Sequence, residues 1–203
     1  MTGPGRSIWF LDTASLLSMA VDVDIAAAVL AEIGSDVVVI IDVVHEELRH
    51  RASISSTAAL AQTAMAGIQP HWTLMNTERL VLLEDVQRAQ EDVADGRTLI
   101  DDEQHWAEST IIALGRRSSA SSTSIKLLLS EDFDARRVAS RVPNMRGLSV
   151  HALLHQRVHA QKMTAEAAAA LATELHGAGR GPEVTAADFT DPTGRALGRV
   201  VRP

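Results

Sequence analysis

Two short apolar segments of the sequence are each followed by a carboxylate. Asp12 directly follows the apolar run 8–11, and Asp132 lies three positions beyond a second run, 125–129. Apolar runs of this length are typical of strands buried in a parallel sheet. Ligands of open α/β sheets bind in the crevice at the carboxyl ends of the strands. Both acids are therefore candidates for a binding or catalytic site, and both are also acceptable N-caps for following helices.

Glu47 is a third candidate, because its position in a predicted helix is unusual for an acid. At about 100° per residue, Glu47 shares the apolar stripe of Val44 and Leu48. Glu46 falls on the opposite side of the same helix. Burying an unpaired charge is costly, so Glu47 is either a functional acid or one half of an i,i+4 ion pair with Arg51.

Glu108 is the fourth candidate. It lies in a predicted helix, 101–117, whose apolar residues surround it almost completely, so this helix should be deeply buried. Ile111 and Ile112 follow Glu108 at i+3 and i+4, and no basic residue lies within one turn. A purely structural role is therefore harder to assign to Glu108 than to Asp12.

These four acids together indicate metal chemistry. Four carboxylates cannot sit together in ionised form without cations. The sequence has no Cys, and the four segments offer no His in the same inward register. Oxygen ligands alone select Mg²⁺ or Mn²⁺, and carboxylate-held metals of this kind suit the hydrolysis of phosphodiester bonds.

The elements that would position these acids alternate between strand and helix, as in the α/β class. The chain's 203 residues favour one domain with at most a small appendage, and 46% hydrophobic residues are ample for a core. Strands are predicted at 8–11, 36–41, 70–75 and 125–129. Helices are predicted at 14–31 with a break near 21–24, and at 43–52, 54–67, 78–93, 101–117, 133–140, 148–159 and 163–176.

Composition excludes several classes of protein. Without Cys there are no disulfides and no thiolate metal sites. No apolar run reaches 18 residues, and residues 1–7 lack a signal-peptide layout, so we expect a cytoplasmic protein with no membrane segment. The net charge of −7 argues against broad coating of nucleic acid and leaves room for a local basic rim.

The motifs around the four acids resemble those of PIN-domain ribonucleases, and among these the VapC-like toxins of bacterial toxin–antitoxin pairs. The matching segments, in the family's order over about residues 7–140, are 11–13, 47–48, 106–114 and 128–133. The resemblance implies a three-layer α/β/α sandwich with a central parallel sheet, followed here by C-terminal helices. It also implies metal-dependent cleavage of RNA.

The resemblance assigns roles residue by residue. It makes an acidic quartet that would hold Mg²⁺ or Mn²⁺ and carry catalysis: Asp12, Glu47, Glu108 and Asp132. Thr13 and Ser130 would hydrogen-bond these carboxylates and orient them. Ala107 departs from the family, because many relatives have Gly before the third acid.

Arginines trail three of the acids by one or two helical turns. The candidates for contacts with RNA phosphates are Arg49, Arg51, Arg116 and Arg136. They could equally be ordinary surface residues, some of them in i,i+4 pairs with acids. Aromatic residues make up only 3% of the chain, so base stacking is not expected to dominate recognition.

The sequence divides into three predicted segments. Residues 1–147 form the PIN-like domain, residues 148–180 a helical extension, and residues 181–203 a tail or arm. The Ala-rich helix 163–176 is expected to pack against the domain or a second copy, which predicts a homodimer.

Three histidines recur every four residues in the extension, at His151, His155 and His159. Two His at this spacing can bind Zn²⁺. No carboxylate accompanies them on their helix, so a polar helix face or a docking surface is the competing interpretation.

The function expected from these observations is that of a metal-dependent endoribonuclease, with a toxin role and an antitoxin partner as the finer expectation. A catalytically silent PIN-like module that binds RNA or protein is the alternative. A phosphatase with an aspartyl nucleophile is disfavoured, because such enzymes need a second Asp where Ala14 stands.

Overall fold

A five-stranded parallel sheet forms the centre of the molecule. The computed structural model describes residues 7–99, 104–119, 124–194 and 197. The strands are β1 (Ile8–Leu11), β2 (Val37–Ile41), β3 (Thr73–Met75), β4 (Lys126–Leu129) and β5 (Met145–Leu148), in the spatial order β3-β2-β1-β4-β5. All four strand pairs are parallel. The predicted α/β class is confirmed.

Helices flank this sheet. They are α1 (Thr13–Met19), α2 (Val23–Ile33), α3 (Asp42–Ser53), α4 (Ala58–Ala66), α5 (Leu83–Ala94), α6 (Trp106–Ser119), α7 (Phe133–Ala139), α8 (Val150–His159), α9 (Ala165–Gly177) and α10 (Ala186–Thr190). In the described parts of the chain, no helix has the length and apolar character needed to cross a membrane.

The strand order places a topological switch point between β1 and β4. From β1 the chain moves outward to β2 and β3, and it then returns to add β4 and β5 on the other side. Leu11 and Leu129 are partners at the ends of β1 and β4, and the Asp12 amide donates to the Leu129 carbonyl at 3.2 Å. Crevices at such points are the usual ligand sites of open parallel sheets.

The central strands are buried because helices cover both faces of the sheet. Leu11, Ile40, Ile41, Leu128 and Leu129 are fully buried. This explains why their sequence reads as continuous apolar runs and not as an alternation of apolar and polar residues. The four predicted strands are present with ends shifted by a few residues at most.

Strand β5 was not predicted, because its sequence contains an Arg and a Gly in four residues. A Cβ on Gly147 would lie 2.5 Å from the Arg136 Cα, so α7 packs directly on the backbone of β5. Glycine in a strand commonly marks such a close approach. Residue 147, the predicted end of the PIN-like domain, therefore falls inside a strand of the sheet.

The first predicted helix is broken as expected. Helix α1 ends at Met19, and Asp22 starts α2 by accepting a hydrogen bond from the Asp24 amide at 2.7 Å. Helix α5 differs more, since it begins at Leu83 and not at residue 78. Leu80 and Leu82, expected on its apolar side, lie in the preceding turn and are 41% and 58% exposed.

The C-terminal segment is folded onto the domain. Helix α8 packs on α2, and α9 packs on α8 and α10. Phe189 of α10 is fully buried, so part of the segment predicted as a tail or arm from residue 181 is a packed helix. Residues 195, 196 and 198–203 of the predicted tail lie outside the described residues.

Candidate active site

Asp12 leaves β1 at the switch point and is fully buried. Its Oδ1 caps α1 by accepting a hydrogen bond from the Ser15 amide at 2.6 Å. Its Oδ2 is buried and makes no hydrogen bond of normal geometry with any described residue. The capping interpretation is therefore correct for one oxygen and leaves the other without an explanation.

Burial raises the pKa of Asp12. Hydrogen bonding from Ser130 and Ser15, and the nearby Glu108 carboxyl, lower that pKa in part. A carboxylate held in this way is costly to ionise without a cation, because little solvent reaches it.

Glu108 lies in the first turn of α6 and is partly buried. Burial raises its pKa well above the usual range, and the charges of Asp12, Glu47 and Asp132 raise it further. Carboxyl groups from three other elements are thus close enough for their charges to act on Glu108. The structure places these three predicted residues near Glu108, beside the carboxyl ends of β1 and β4.

Glu47 projects inward from α3. It is partly buried, and the Thr13 hydroxyl donates a hydrogen bond to its Oε2 at 2.5 Å. Glu46 is exposed. The orientations expected from the helical wheel are those in the structure, and Thr13 holds the carboxylate that it was expected to orient.

Asp132 caps α7, with its Oδ1 accepting from the Ala135 amide at 2.9 Å. Its own amide donates to the Ser130 hydroxyl at 3.1 Å. Its Oδ2 lies 3.0 Å from Nδ1 of His105. Ser130 therefore contacts two of the four acidic positions, through the Asp132 backbone and through the Asp12 carboxylate.

His105 was not among the predicted site residues. It has φ of +62°, a left-handed conformation that is uncommon for residues other than glycine and is often found at functional sites. No sequence signal marks it beyond its place just before α6.

The donor set of this cluster fits a hard divalent cation. All the donor atoms of the quartet are carboxylate oxygens, and among the described residues the buried Oδ2 of Asp12 has no hydrogen bond of normal geometry. Among the described residues, no three Asp, Glu or His side chains converge closely enough to hold a metal ion as they stand. The chemistry of the donors matches Mg²⁺ or Mn²⁺.

The positively charged side chain of Arg180, in the C-terminal segment, lies near this cluster. Arg180 donates from Nε to the Ser18 hydroxyl at 3.1 Å and from Nη2 to the Ala14 carbonyl at 2.9 Å. Its charge interacts with those of Asp12 and Glu131. Sequence reasoning missed Arg180, because only the folding back of the chain after α9 brings it to α1.

Arg136 is not available to RNA. It was predicted to contact a phosphate, but it is buried, and its Nη1 donates to the Ser130 carbonyl at 2.8 Å. The unpredicted strand β5 covers it. The expected phosphate contact is therefore corrected to an internal role beside the acidic cluster.

The other three predicted arginines lie on helix surfaces. Arg116 is 2.5 Å from Asp92, and it is about 12 Å along the helix from Glu108, at 1.5 Å per residue. Arg49 and Arg51 are exposed on α3. The charge of Arg51 acts on that of Arg180.

Two of the three histidines of α8, His151 and His155, contact the C-terminal segment. Nε2 of His155 lies 2.7 Å from the Asp191 carbonyl, and the rings of His155 and His159 are 4.2 Å apart. His151 packs so closely on Gly181 that a Cβ there would clash with its ring. These contacts fit the interpretation of this helix face as a docking surface, here for the C-terminal segment of the same chain. No described acid or histidine completes a zinc site with the three histidines.

An open cleft of about 620 Å³ adjoins the acidic cluster and shares Glu47 with it. Helices α3 and α5 form its walls, and Trp106 at the start of α6 closes one end. Its polar lining includes Glu46, His50, Gln87 and Gln90. Trp106, expected to be deeply buried, is instead partly exposed here.

Comparisons with known proteins give little beyond this geometry. No protein-family model and no curated protein matches the sequence. Among solved structures, the chain is similar to VapBC2 from Rickettsia felis bound to a DNA fragment from their promoter, at 14% identity and a TM-score of 0.48. The match covers 70% of this chain and 98% of that chain. A likeness of this size carries no argument about function.

Proposed function

We propose that the protein is a metal-dependent endoribonuclease that hydrolyses RNA phosphodiester bonds. One observation carries the proposal. Burial and the charges of carboxyl groups from three other elements, Asp12, Glu47 and Asp132, raise the pKa of Glu108 beside the switch point of the parallel sheet. An arrangement that costs stability without a cation is typical of a functional site.

The four carboxylates would hold Mg²⁺ or Mn²⁺: Asp12, Glu47, Glu108 and Asp132. When bound, such a cation supplies Lewis-acid stabilisation of the charge that develops on a reacting phosphate. Thr13 fixes the orientation of Glu47, and Ser130 supports Asp12 and the backbone of Asp132.

RNA is the proposed substrate because the acid motifs resemble those of PIN-domain ribonucleases. Arg51 and Arg180 carry neighbouring positive charges, and the charge of Arg180 also interacts with that of Asp12. Together they can attract a phosphate group toward the acidic cluster. A toxin role with an antitoxin partner belongs to the same proposal, and binding to the product of an adjoining short reading frame would test it.

Cleavage of single-stranded RNA by purified protein tests the proposal. We expect cleavage with MnCl₂ or MgCl₂, none with excess EDTA, and none with Asp12→Asn under any condition. Asn can replace Asp as the cap of α1, so circular dichroism of this variant should be unchanged. Full activity of Asp12→Asn in a nuclease-free preparation would refute the assignment.

A catalytically silent binding module is the second candidate. It is favoured by one observation, that both oxygens of Asp132 are already engaged, by Ala135 and by His105. This candidate predicts that the wild-type protein binds RNA and leaves it intact at every concentration of Mn²⁺ and Mg²⁺.

A further inference from the structure

The cleft beside the acidic cluster contains a tryptophan that is placed to contact a ligand. The chain has three Trp residues. Trp9 and Trp72 are buried, at 3% and 6% exposure, whereas Trp106 is partly exposed and lines the cleft. A partly exposed indole in a concave wall offers a flat apolar surface to an incoming ring.

Neighbouring residues hold this tryptophan in place. The side chain of Gln90 on α5 is buried and donates to the Gln104 carbonyl at 2.6 Å, which anchors the segment just before α6. The Trp106 carbonyl accepts a hydrogen bond from the Thr110 hydroxyl at 2.8 Å. These two hydrogen bonds fix the backbone at residues 104 and 106, which carries the indole ring. Val43 and Leu83 are further apolar residues that line the cleft.

The charges of the cleft select the part of a nucleotide that can enter. Glu46 and Glu47 contribute two carboxylates, and none of the described residues lining the cleft is Lys or Arg. A phosphate would be repelled, whereas an exocyclic amine of a base could donate to the exposed Glu46. The amide of Gln87 adds a donor and an acceptor.

We propose that this cleft binds one unpaired, amine-bearing nucleobase (adenine, cytosine or guanine) stacked on Trp106, next to the phosphate that is cleaved. Its volume of about 620 Å³ can accommodate a single nucleotide. The base would lie next to the cleaved phosphate because Glu47 both lines the cleft and belongs to the acidic cluster. The proposal rests on the proposed function for its substrate class. It adds a base-recognition site formed by α3, α5 and α6.

Intrinsic fluorescence of the full chain provides the test. With Asp12→Asn as the background, so that no RNA is consumed, oligoadenylate and oligocytidylate should change the tryptophan emission more than oligouridylate does. Trp106→Leu should abolish this change and weaken binding of oligoadenylate by about 5-fold to 150-fold, the range that base stacking on an aromatic ring supports. Trp106→Phe should restore part of the affinity.

A second variant protects the test against a folding defect of Trp106→Leu. Glu46→Gln should reduce the preference for oligoadenylate over oligouridylate. Binding of RNA should still change the tryptophan emission of this variant, because Trp106 is retained. The proposal is overturned if Trp106→Phe and Trp106→Leu both bind as the background protein does, or if Glu46→Gln keeps the full base preference. If the proposed function is wrong and the base site is right, the result is different: RNA binds at Trp106 and remains uncleaved by the wild-type protein.

Discussion

Glu47 and Glu46 are adjacent acids with different surroundings, which makes them a matched pair. Glu47 is oriented by Thr13 toward the other carboxylates, whereas Glu46 is exposed at the cleft. We expect Glu47→Gln to lower kcat by two orders of magnitude or more, because removing one charge-stabilising group typically costs about 10²-fold to 10³-fold. Glu46→Gln should act mainly on KM.

Steady-state cleavage of a short RNA, with kcat and KM determined separately, measures this difference. Equal losses of kcat in the two variants, or a larger loss in Glu46→Gln, would contradict the assigned roles. Circular dichroism of both variants controls for folding.

The acids of this site could be predicted from the sequence, whereas their partners could not. Asp12 and Asp132 follow buried strands, and the helical period alone distinguishes Glu47 from Glu46. His105 and Arg180 reach the cluster only through tertiary contacts between distant segments. No periodicity encodes such contacts, so sequence reasoning has no signal for them.

His151 makes helix α8 sensitive to acid. Burial and, to a smaller extent, the charge of Arg136 lower the pKa of His151 to about 4. The unfolded chain takes up this proton near pH 6.5, so the stability contributed by the neutral ring is complete above pH 6.5. It is lost as the pH falls toward 4, by at most about 3.4 kcal/mol at 1.36 kcal/mol per pKa unit.

Unfolding in urea between pH 7.5 and 4.5 should show this effect in a comparison of wild type with His151→Met. Glu131, whose pKa burial raises to about 7, contributes with the opposite sign, because stability is lost as the pH rises from 4.5 to 7. Nδ1 of His151 lies 4.0 Å from Oε2 of Glu131, so both proteins are compared in the Glu131→Gln background, which isolates the histidine. His71→Met, at an exposed position, is the control. Parallel pH curves for His151→Met and wild type would contradict the prediction.

Arg180 ties the C-terminal segment to α1. We expect Arg180→Met to lower the free energy of unfolding by about 1–3 kcal/mol, because it removes two hydrogen bonds from a charged group, to Ser18 and Ala14. Arg117→Met, an exposed position on α6, should change it by less than about 0.5 kcal/mol. Chemical denaturation measures both, and equal values would show that the contact of Arg180 contributes nothing.

The central elements were predictable and the C-terminal ones less so, for a physical reason. Strands β1, β2 and β4 are buried on both faces and carry continuous apolar runs. Strand β5 lies at an edge and packs through Gly147, so its sequence shows no such run. Helix α10 has five residues and buries Phe189 alone, which is too little pattern to distinguish it from a tail.

Homodimer formation stays a prediction. The expectation came from the small apolar surface of α9, and in the structure Ala168, Ala172 and Leu175 of that surface are buried. The contacts of α9 with α8 and α10 lie within one chain. Light scattering at micromolar concentration measures the oligomeric state, and a monomeric mass would remove the dimer.

The stability of the whole fold should depend on divalent cations if the acidic cluster holds them. Burial raises the pKa of Asp12, and burial together with the charges of the other carboxylates raises the pKa of Glu108, so the ionised cluster opposes folding in the absence of a cation. A cation that binds only the folded chain stabilises it by about 2.7 kcal/mol at a hundredfold excess over its dissociation constant. Mn²⁺ or Mg²⁺ should therefore raise the Tm by more than NaCl of equal ionic strength.

Asp12→Asn separates a cation site from a set of helix caps. It should raise the Tm slightly without metal, because Asn keeps the cap of α1 and relieves the repulsion that acts on Glu108. It should also reduce the response to Mn²⁺, because one ligand charge is lost. Caps alone predict the same response to Mn²⁺, or none, in both proteins. A melting series of wild type and variant, with and without Mn²⁺, therefore decides whether the carboxylates at this sheet edge act as ligands or only end strands and begin helices.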